Sequence, residues 1–246
     1  MIVHKLEPIL LVGAGALPEG LWDEARAIAP HVVAVDGGLR HVLAKGDMPE
    51  AVIGDLDSIG ADRVHVPAAR LHPIAEQDST DFDKALRNVD ASLILAAGFS
   101  GPRIDHQLAV YSGLMARAER LCIVLGQSDL VMLAPPHMAL DLPEGMRLSL
   151  YPMGQVRGRS SGLRWPIEGI AFSPQGRIGT SNEVVRAAGA AQGGQDQAGG
   201  QGTLCRVEIE VDAPCMLLIL PRAALPLLPS SLLGSACGRW TARAGQ

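Results

Sequence analysis

Aromatic side chains are scarce in this chain. Three Phe, three Trp and two Tyr make up 3% of its 246 residues, so the core has to be built from Leu, Val, Ile and Ala. Basic residues are not in excess: 21 Lys and Arg stand against 26 Asp and Glu, a net charge of −5. That balance argues against nucleic-acid binding, where phosphate contacts need a basic face. No apolar run approaches the roughly 20 residues that span a membrane, and Met1–Glu7 lacks the uninterrupted apolar stretch of a signal peptide. The four cysteines, Cys122, Cys205, Cys215 and Cys237, form no C-x-x-C pair and have no His cluster near them, which disfavours a zinc site. The expectation is a reduced, soluble, cytoplasmic protein. Catalytic signatures are missing too. There is no G-x-x-x-x-G-K-[ST] loop and no protein-kinase motif set, and Ser58, Ser79 and Ser112 lack a G-x-S-x-G elbow.

What is present is a globular composition, 48% hydrophobic and 19% charged, with apolar runs that repeatedly stop at glycine or aspartate. Pro8–Val12, Val32–Val35, Ala51–Gly54, Leu93–Ala97 and Cys122–Leu125 read as buried strands. Helical spacing separates them over Leu17–Ala29, Leu39–Lys45, Ser79–Asn88 (capped by Ser79 or Asp78) and Ile104–Glu119. Such alternation predicts a parallel sheet with helices on both faces. From about Leu130 the pattern changes to short apolar segments: Val131–Ala134, Arg147–Tyr151, Ile170–Phe172, Arg206–Val211 and Met216–Leu220. Val207–Val211 alternates strictly, as a half-exposed antiparallel strand does. The expected fold class is therefore α/β, an N-terminal parallel-sheet α/β domain followed by a C-terminal β-sandwich domain. We place the boundaries at 1–138 and 139–222, with a Gly/Ala/Gln-rich flexible insertion at 187–202 and a tail at 223–246. The leucines from Leu225 to Leu233 are candidates to dock on a core or a partner, and the last ten residues are expected to be mobile.

Four polar clusters fall where strands end. Asp36-Gly37-Gly38 reads either as a tight turn or as backbone that approaches a phosphate. Asp55-Leu56-Asp57, on an extended backbone, would point two carboxylates the same way, and hard carboxylates suit Mg²⁺. Gln77-Asp78-Ser79-Thr80-Asp81 opens a helix and borders the same crevice. Gly98–His106 ends in Arg103, Asp105 and His106; Arg103 at a helix start suits an anion. In an open α/β sheet, the carboxyl ends of the strands face the ligand. Carboxylates, an arginine and glycine-rich turns collected there suit transfer from a nucleoside triphosphate.

The order of these clusters resembles the thiamine pyrophosphokinase family. The resemblance rests on Val35-Asp36-Gly37-Gly38, Ile53-Gly54-Asp55-Leu56-Asp57-Ser58-Ile59, Gln77-Asp78-Ser79-Thr80-Asp81-Phe82, Gly101-Pro102-Arg103-Ile104-Asp105-His106, Ser161-Gly162-Leu163-Arg164-Trp165 and Thr180-Ser181-Asn182, and covers roughly Ile9–Leu220. It implies transfer of pyrophosphate from ATP to the hydroxyl of thiamine, by a homodimer with its active site between subunits. It further implies Mg²⁺ at Asp55, Asp57 and Asp81, a substrate contact from Gln77, and Ser161 and Trp165 at the thiamine site. Trp165 is either a stacking surface for the cationic heterocycle or a core anchor. The chain departs from the family at Leu39-Arg40-His41, where A-N-R is common, and at Val110, near which an asparagine is common. Three rival readings remain at this stage: a pyrophosphokinase for another heterocyclic alcohol such as a hydroxymethylpterin, a non-catalytic sensor of thiamine diphosphate or nucleotide, and a sugar-nucleotide transferase.

Overall fold

The structure is a computed structural model and describes residues 1–186 and 203–242. The insertion expected at 187–202 lies outside the described residues. The chain divides into two compact units, one built on Met1–Met132 and one on Leu133–Trp240. Among the described residues no helix is long and apolar enough to cross a membrane.

In the first unit the strands are β1 (Val3–His4), β2 (Ile9–Val12), β3 (His31–Val35), β4 (Ala51–Gly54), β5 (Leu71–Pro73), β6 (Val89–Asp90), β7 (Ile94–Ala97), β8 (Cys122–Leu125) and β9 (Asp129–Leu133). Its sheet runs β9-β8-β7-β2-β3-β4-β5. All pairings are parallel except that of β9, which turns back antiparallel on β8. β1 and β6 form a separate parallel pair, too short to be visible as a pattern. The chain moves outward from β2 through β3 and β4 to β5, then returns to the other side of β2 with β7. The reversal between β2 and β7 opens a crevice at their carboxyl ends. Ile9, Leu10, Leu11, Ile53, Ile94, Leu95 and Ile123 have no exposed surface, as expected for strands covered on both faces.

The helices are α1 (Leu21–Arg26), α2 (Leu39–Ala44), α3 (Asp81–Asn88) and α4 (Ile104–Ala116). Three differ from the pattern-based expectation. α1 starts at Leu21 rather than Leu17, because Pro18 and the left-handed Gly20 (φ 74°) precede it. α3 is capped by Thr80, whose Oγ1 accepts from the Asp83 N–H at 3.2 Å, and not by Ser79 or Asp78. α4 ends at Ala116, where Arg117 leaves the helical conformation and its guanidinium meets Asp83 at 2.9 and 3.2 Å.

The second unit holds β10 (His137–Pro143), β11 (Arg147–Pro152), β12 (Gly158–Ser161), β13 (Gly179–Glu183), β14 (Leu204–Val211), β15 (Met216–Pro221) and α5 (Leu228–Leu232). Two antiparallel arrangements result, β10-β14-β12 and β13-β11-β15. β14 buries Cys205, Val207, Ile209 and Val211 while Arg206 and Glu208 stay outside, the alternation read from the sequence. Ile170–Phe172 is not a strand; Phe172 makes only isolated bridges to Val156 and Arg177. The described tail residues up to Trp240 dock on this unit. Leu225, Leu228 and Leu232 are buried, the Gly238 N–H reaches the His137 carbonyl at 2.8 Å, and Trp240 Nε1 donates to the Ala134 carbonyl at 2.9 Å.

Candidate functional site

The carboxyl edge of the first sheet is shaped by glycines that cannot be enlarged. A Cβ on Gly38 would lie 1.9 Å from the Val12 carbonyl oxygen, and one on Gly13 would lie 2.6 Å from the Gly98 oxygen. The loops after β2, β3 and β7 therefore touch backbone to backbone. Gly54 ends β4 with φ 152°, and a Cβ there would meet the Asp36 Cβ at 2.9 Å. Glycine at this position is what lets Asp36 sit beside the end of the neighbouring strand.

Asp36, Asp55 and Asp57 come together here, each with a carboxylate oxygen within 4.8 Å of the others. The backbone that brings them together is strained. Asp36 has φ 46° and Leu56 has φ 64°, conformations that cost non-glycine residues about 1–3 kcal/mol each and persist where the surroundings impose them. Leu56 is held by burial, at 7% exposure. The extended Asp55–Asp57 backbone expected from the sequence is thus replaced by a left-handed turn. That turn is closed by the Asp57 N–H on Asp55 Oδ1 at 3.3 Å and by Ser58 Oγ on Asp57 Oδ1 at 2.8 Å. Asp36 Oδ1 is buried without a hydrogen-bond partner. Three carboxylates, one of them with a buried oxygen that lacks a partner, form a donor set suited to a hard divalent cation. Gly37 and Gly38 are buried in a 3-10 turn between Asp36 and α2.

Asp81 stands outside this group. Its Oδ1 accepts from Lys84 Nζ at 3.0 Å. Thr80 serves as the helix cap, and Gln77 and Asp78 are exposed. Arg103 precedes α4 and is paired with Asp105, at 2.7 Å from Nη2 and 3.3 Å from Nε. The anion expected near Arg103 is thus supplied by the chain itself. The hydrogen bond from Arg103 lowers the Asp105 carboxyl to about 2. His106 is exposed. Arg40, one of the departures from the family pattern, donates from Nη2 to the Ala14 carbonyl at 2.7 Å and so ties α2 to the loop after β2.

In the second unit, Ser161, Trp165, Ser181 and Asn182 share one corner. Gly162 (φ 74°) turns the chain after β12 where a Cβ would strike the Arg206 oxygen at 2.1 Å. Asn182, 7% exposed, accepts from the Trp165 and Glu183 N–H groups at 3.1 and 2.8 Å and donates to the Trp165 carbonyl at 2.7 Å. That amide fixes the Trp165 backbone, yet the Trp165 ring is 56% exposed; it is not a core anchor. Arg164, held by Glu183 at 2.8 Å, lies with Cζ 5.6 Å from the ring centroid. Ser161 Oγ is 3.4 Å from Glu208 Oε2, and the left-handed Ser181 (φ 60°) donates its N–H to Ser149 Oγ at 2.9 Å. A cavity of about 510 Å³ elsewhere in this unit, lined by Gln155, Arg157, Phe172, Ser173 and Asp212, touches none of these residues.

Comparison with known proteins finds thiamine pyrophosphokinases. Residues 21–125 match the family profile described as thiamin pyrophosphokinase, catalytic domain. Thiamine pyrophosphokinases 1 and 2 of Arabidopsis thaliana are each 28% identical, over 157 and 185 residues, covering 55% and 67% of this chain and 58% and 67% of theirs. The thiamine pyrophosphokinase structure from Bacillus subtilis superposes with a TM-score of 0.66 at 20% identity over 87% of this chain and 98% of that one. All three comparisons find this chain similar to thiamine pyrophosphokinases. The yeast thiamin pyrophosphokinase structure gives a TM-score of 0.67 at 16% identity, over 92% of this chain and 89% of its own. At these identities the structural likeness speaks for the shared fold. The first Arabidopsis relative is matched over little more than half its length.

Two features escaped the sequence reading. Asp36 was visible only as a turn or phosphate-approach residue, although an aspartate closing the strand next to a D-x-D strand is the signal that could have found it. Lys84 gave no signal beyond its place three residues after Asp81.

Proposed function

We propose that this protein transfers a pyrophosphoryl group from ATP to the hydroxyl of thiamine, giving thiamine diphosphate and AMP. The observation that carries this reading is the gathering of Asp36, Asp55 and Asp57 within 4.8 Å inside the stretch matching the thiamin pyrophosphokinase catalytic profile. Mg²⁺, when bound by these carboxylates, neutralises charge on the phosphates. Asp36 replaces Asp81 in the cation set inferred from the sequence, and Asp81 takes a place beside it. The Asp36-Gly37-Gly38 turn and Arg103 position the phosphates, Arg103 exchanging Asp105 for a phosphate oxygen. The thiamine hydroxyl attacks the β-phosphorus in line. A new O–P bond forms there, the bond from that phosphorus to the bridging oxygen breaks, and AMP departs. The hydroxyl proton passes to Asp57 or Asp81. Positioning and electrostatics supply most of the acceleration. Gln77, Asp78, Thr80 and His106 border the nucleotide and substrate. The exposed Trp165 ring stacks on the heterocycle, with Ser161, Ser181 and Asn182 around it.

The same reading makes the enzyme a cytoplasmic homodimer in which Ser161 and Trp165 serve the site of the partner subunit. Mixing Asp55→Asn and Trp165→Ala subunits at thiamine well below the wild-type KM tests this: activity above that of either parent supports shared sites, and none above the parents from a folded mixed dimer refutes them. The reaction itself is tested by AMP release from ATP and Mg²⁺ with thiamine and, in parallel, with a hydroxymethylpterin. AMP and thiamine diphosphate appearing together, with thiamine alone, uphold the proposal. AMP with the pterin alone moves the substrate and keeps the chemistry. No AMP from a folded protein that still binds thiamine diphosphate makes it a sensor.

A further inference from the structure

α3 carries a lysine where a lysine is out of place. Lys84 is 2% exposed and shares the covered face of the helix with Phe82, Ala85 and Leu86. A lysine can usually extend its ammonium to water along its aliphatic stem; here the whole side chain is 3% exposed. Burying an ammonium is costly unless a partner compensates, and an apolar side chain of the same size often serves stability as well or better. Among the described residues, one carboxylate lies within ion-pair distance of Lys84 Nζ: Asp81 Oδ1, at 3.0 Å. Of the other acids near the helix start, Asp78 is exposed and two are otherwise engaged. Asp83 is held by Arg117 at 2.9 Å, and Glu76 by Arg87 and Ser79. Thr80 caps the helix through the Asp83 N–H, so Asp81 opens the first turn in a fixed frame. Asp81 itself is 32% exposed. Its Oδ1 is taken by Lys84, and its Oδ2 has no hydrogen bond among the described residues.

We propose that Lys84 is a positioning residue, holding Asp81 from beneath by one carboxylate oxygen so that the other faces the reacting groups. The inference rests on the function proposed above. A structural role would need only bulk at position 84. A positioning role needs the ammonium, and needs it through Asp81.

The test is a double-mutant cycle of Lys84→Met, Asp81→Asn and the double variant, read in two ways. The first reading is thermal unfolding without ligands. Asp81→Asn leaves a buried ammonium without its anion and melts lowest. Lys84→Met melts near wild type, and the double variant recovers most of the Asp81→Asn loss. The second reading is AMP release. Lys84→Met lowers kcat by about 10-fold or more while KM for thiamine changes little, and adding it to Asp81→Asn slows turnover no further. Wild-type kcat in Lys84→Met overturns the proposal, as do losses that multiply in the double variant. A double variant no more stable than Asp81→Asn also overturns it. If the wild-type protein releases no AMP with thiamine, the proposed reaction fails, and the melting cycle decides the pair by itself: recovery upholds it and lack of recovery overturns it.

Discussion

Three carboxylates gathered at one edge of the sheet repel one another, and Asp36→Asn measures that repulsion. Asparagine is the right replacement because it tolerates the left-handed backbone at Asp36, φ 46°. Asp36 Oδ1 has no hydrogen bond to lose. Two unit charges 4.8 Å apart repel by about 0.9 kcal/mol in water and by about 3.5 kcal/mol at an effective dielectric of 20. Asp57 is exposed, so water screens the group and the lower figure governs. Asp36 has two such neighbours, so removing its charge relieves about 1–2 kcal/mol. For a chain of this size that raises the melting temperature by roughly 2–8 °C. The assay is thermal unfolding at low ionic strength, where screening by salt is least, with and without Mg²⁺. Without Mg²⁺, Asp36→Asn melts above wild type. As Mg²⁺ is added the wild type gains stability by binding and the gap closes or reverses, while AMP release by the variant falls about 100-fold or more. A variant that melts at or below wild type without Mg²⁺, with Mg²⁺ raising both equally, refutes the cation site.

Gly38→Ala forces a Cβ to within 1.9 Å of the Val12 carbonyl oxygen, a backbone clash that no rotamer relieves. An overpacking cost of about 1–3 kcal/mol lowers the melting temperature by roughly 2–12 °C, and AMP release falls as Asp36 is displaced; unchanged melting and turnover would contradict the close approach. Trp165→Ala, at a ring 56% exposed, leaves melting unchanged and raises KM for thiamine about 10-fold through lost stacking and cation–π attraction, with Trp165→Phe between; an unaltered KM removes Trp165 from the site. Asp105 is lowered to about 2 by its hydrogen bond from Arg103, against about 3.9 in an unfolded chain. Its contribution to stability is therefore present above about pH 4 and is lost as pH falls through about 2. The melting difference between wild type and Asp105→Asn stays constant from pH 7 to about 4 and shrinks below it; a difference that vanishes already by pH 5 contradicts the pairing.

The strands of the first unit were legible because each is a short apolar run closed by glycine or aspartate, buried on both faces. β14 was legible because one of its faces is wet. Helix ends were harder to place. Ser79, Asp78 and Thr80 are all good caps by chemistry, and the choice fell to Thr80 because its oxygen reaches the Asp83 N–H, a geometric outcome that composition does not encode. The tail leucines were legible as candidates to dock, but the tail's partners were not, since the His137 and Ala134 carbonyls that meet Gly238 and Trp240 lie about a hundred residues away.

The candidate site was legible as a set of residues and not as an arrangement. Which carboxylates meet depends on β3 lying beside β4 with Val35 opposite Ile53, because that register carries Asp36 to Gly54. Nothing within either segment specifies it. Local propensity also points the wrong way at Leu56, since a leucine disfavours φ 64°. The conformation holds because the side chain is buried, a tertiary gain outweighing a local cost. The same conflict recurs at Lys84, a charge placed on the buried face of its helix. Both departures adjoin the aspartates, and at Lys84 a sequence selected for stability alone would place an apolar side chain. A glycine in place of Leu56 would relax the turn, and a methionine in place of Lys84 would fill the helix face without an ion. Both lie within a few residues of Asp55, Asp57 and Asp81, where the proposed function places the chemistry, and local conflicts of this kind gather at functional sites.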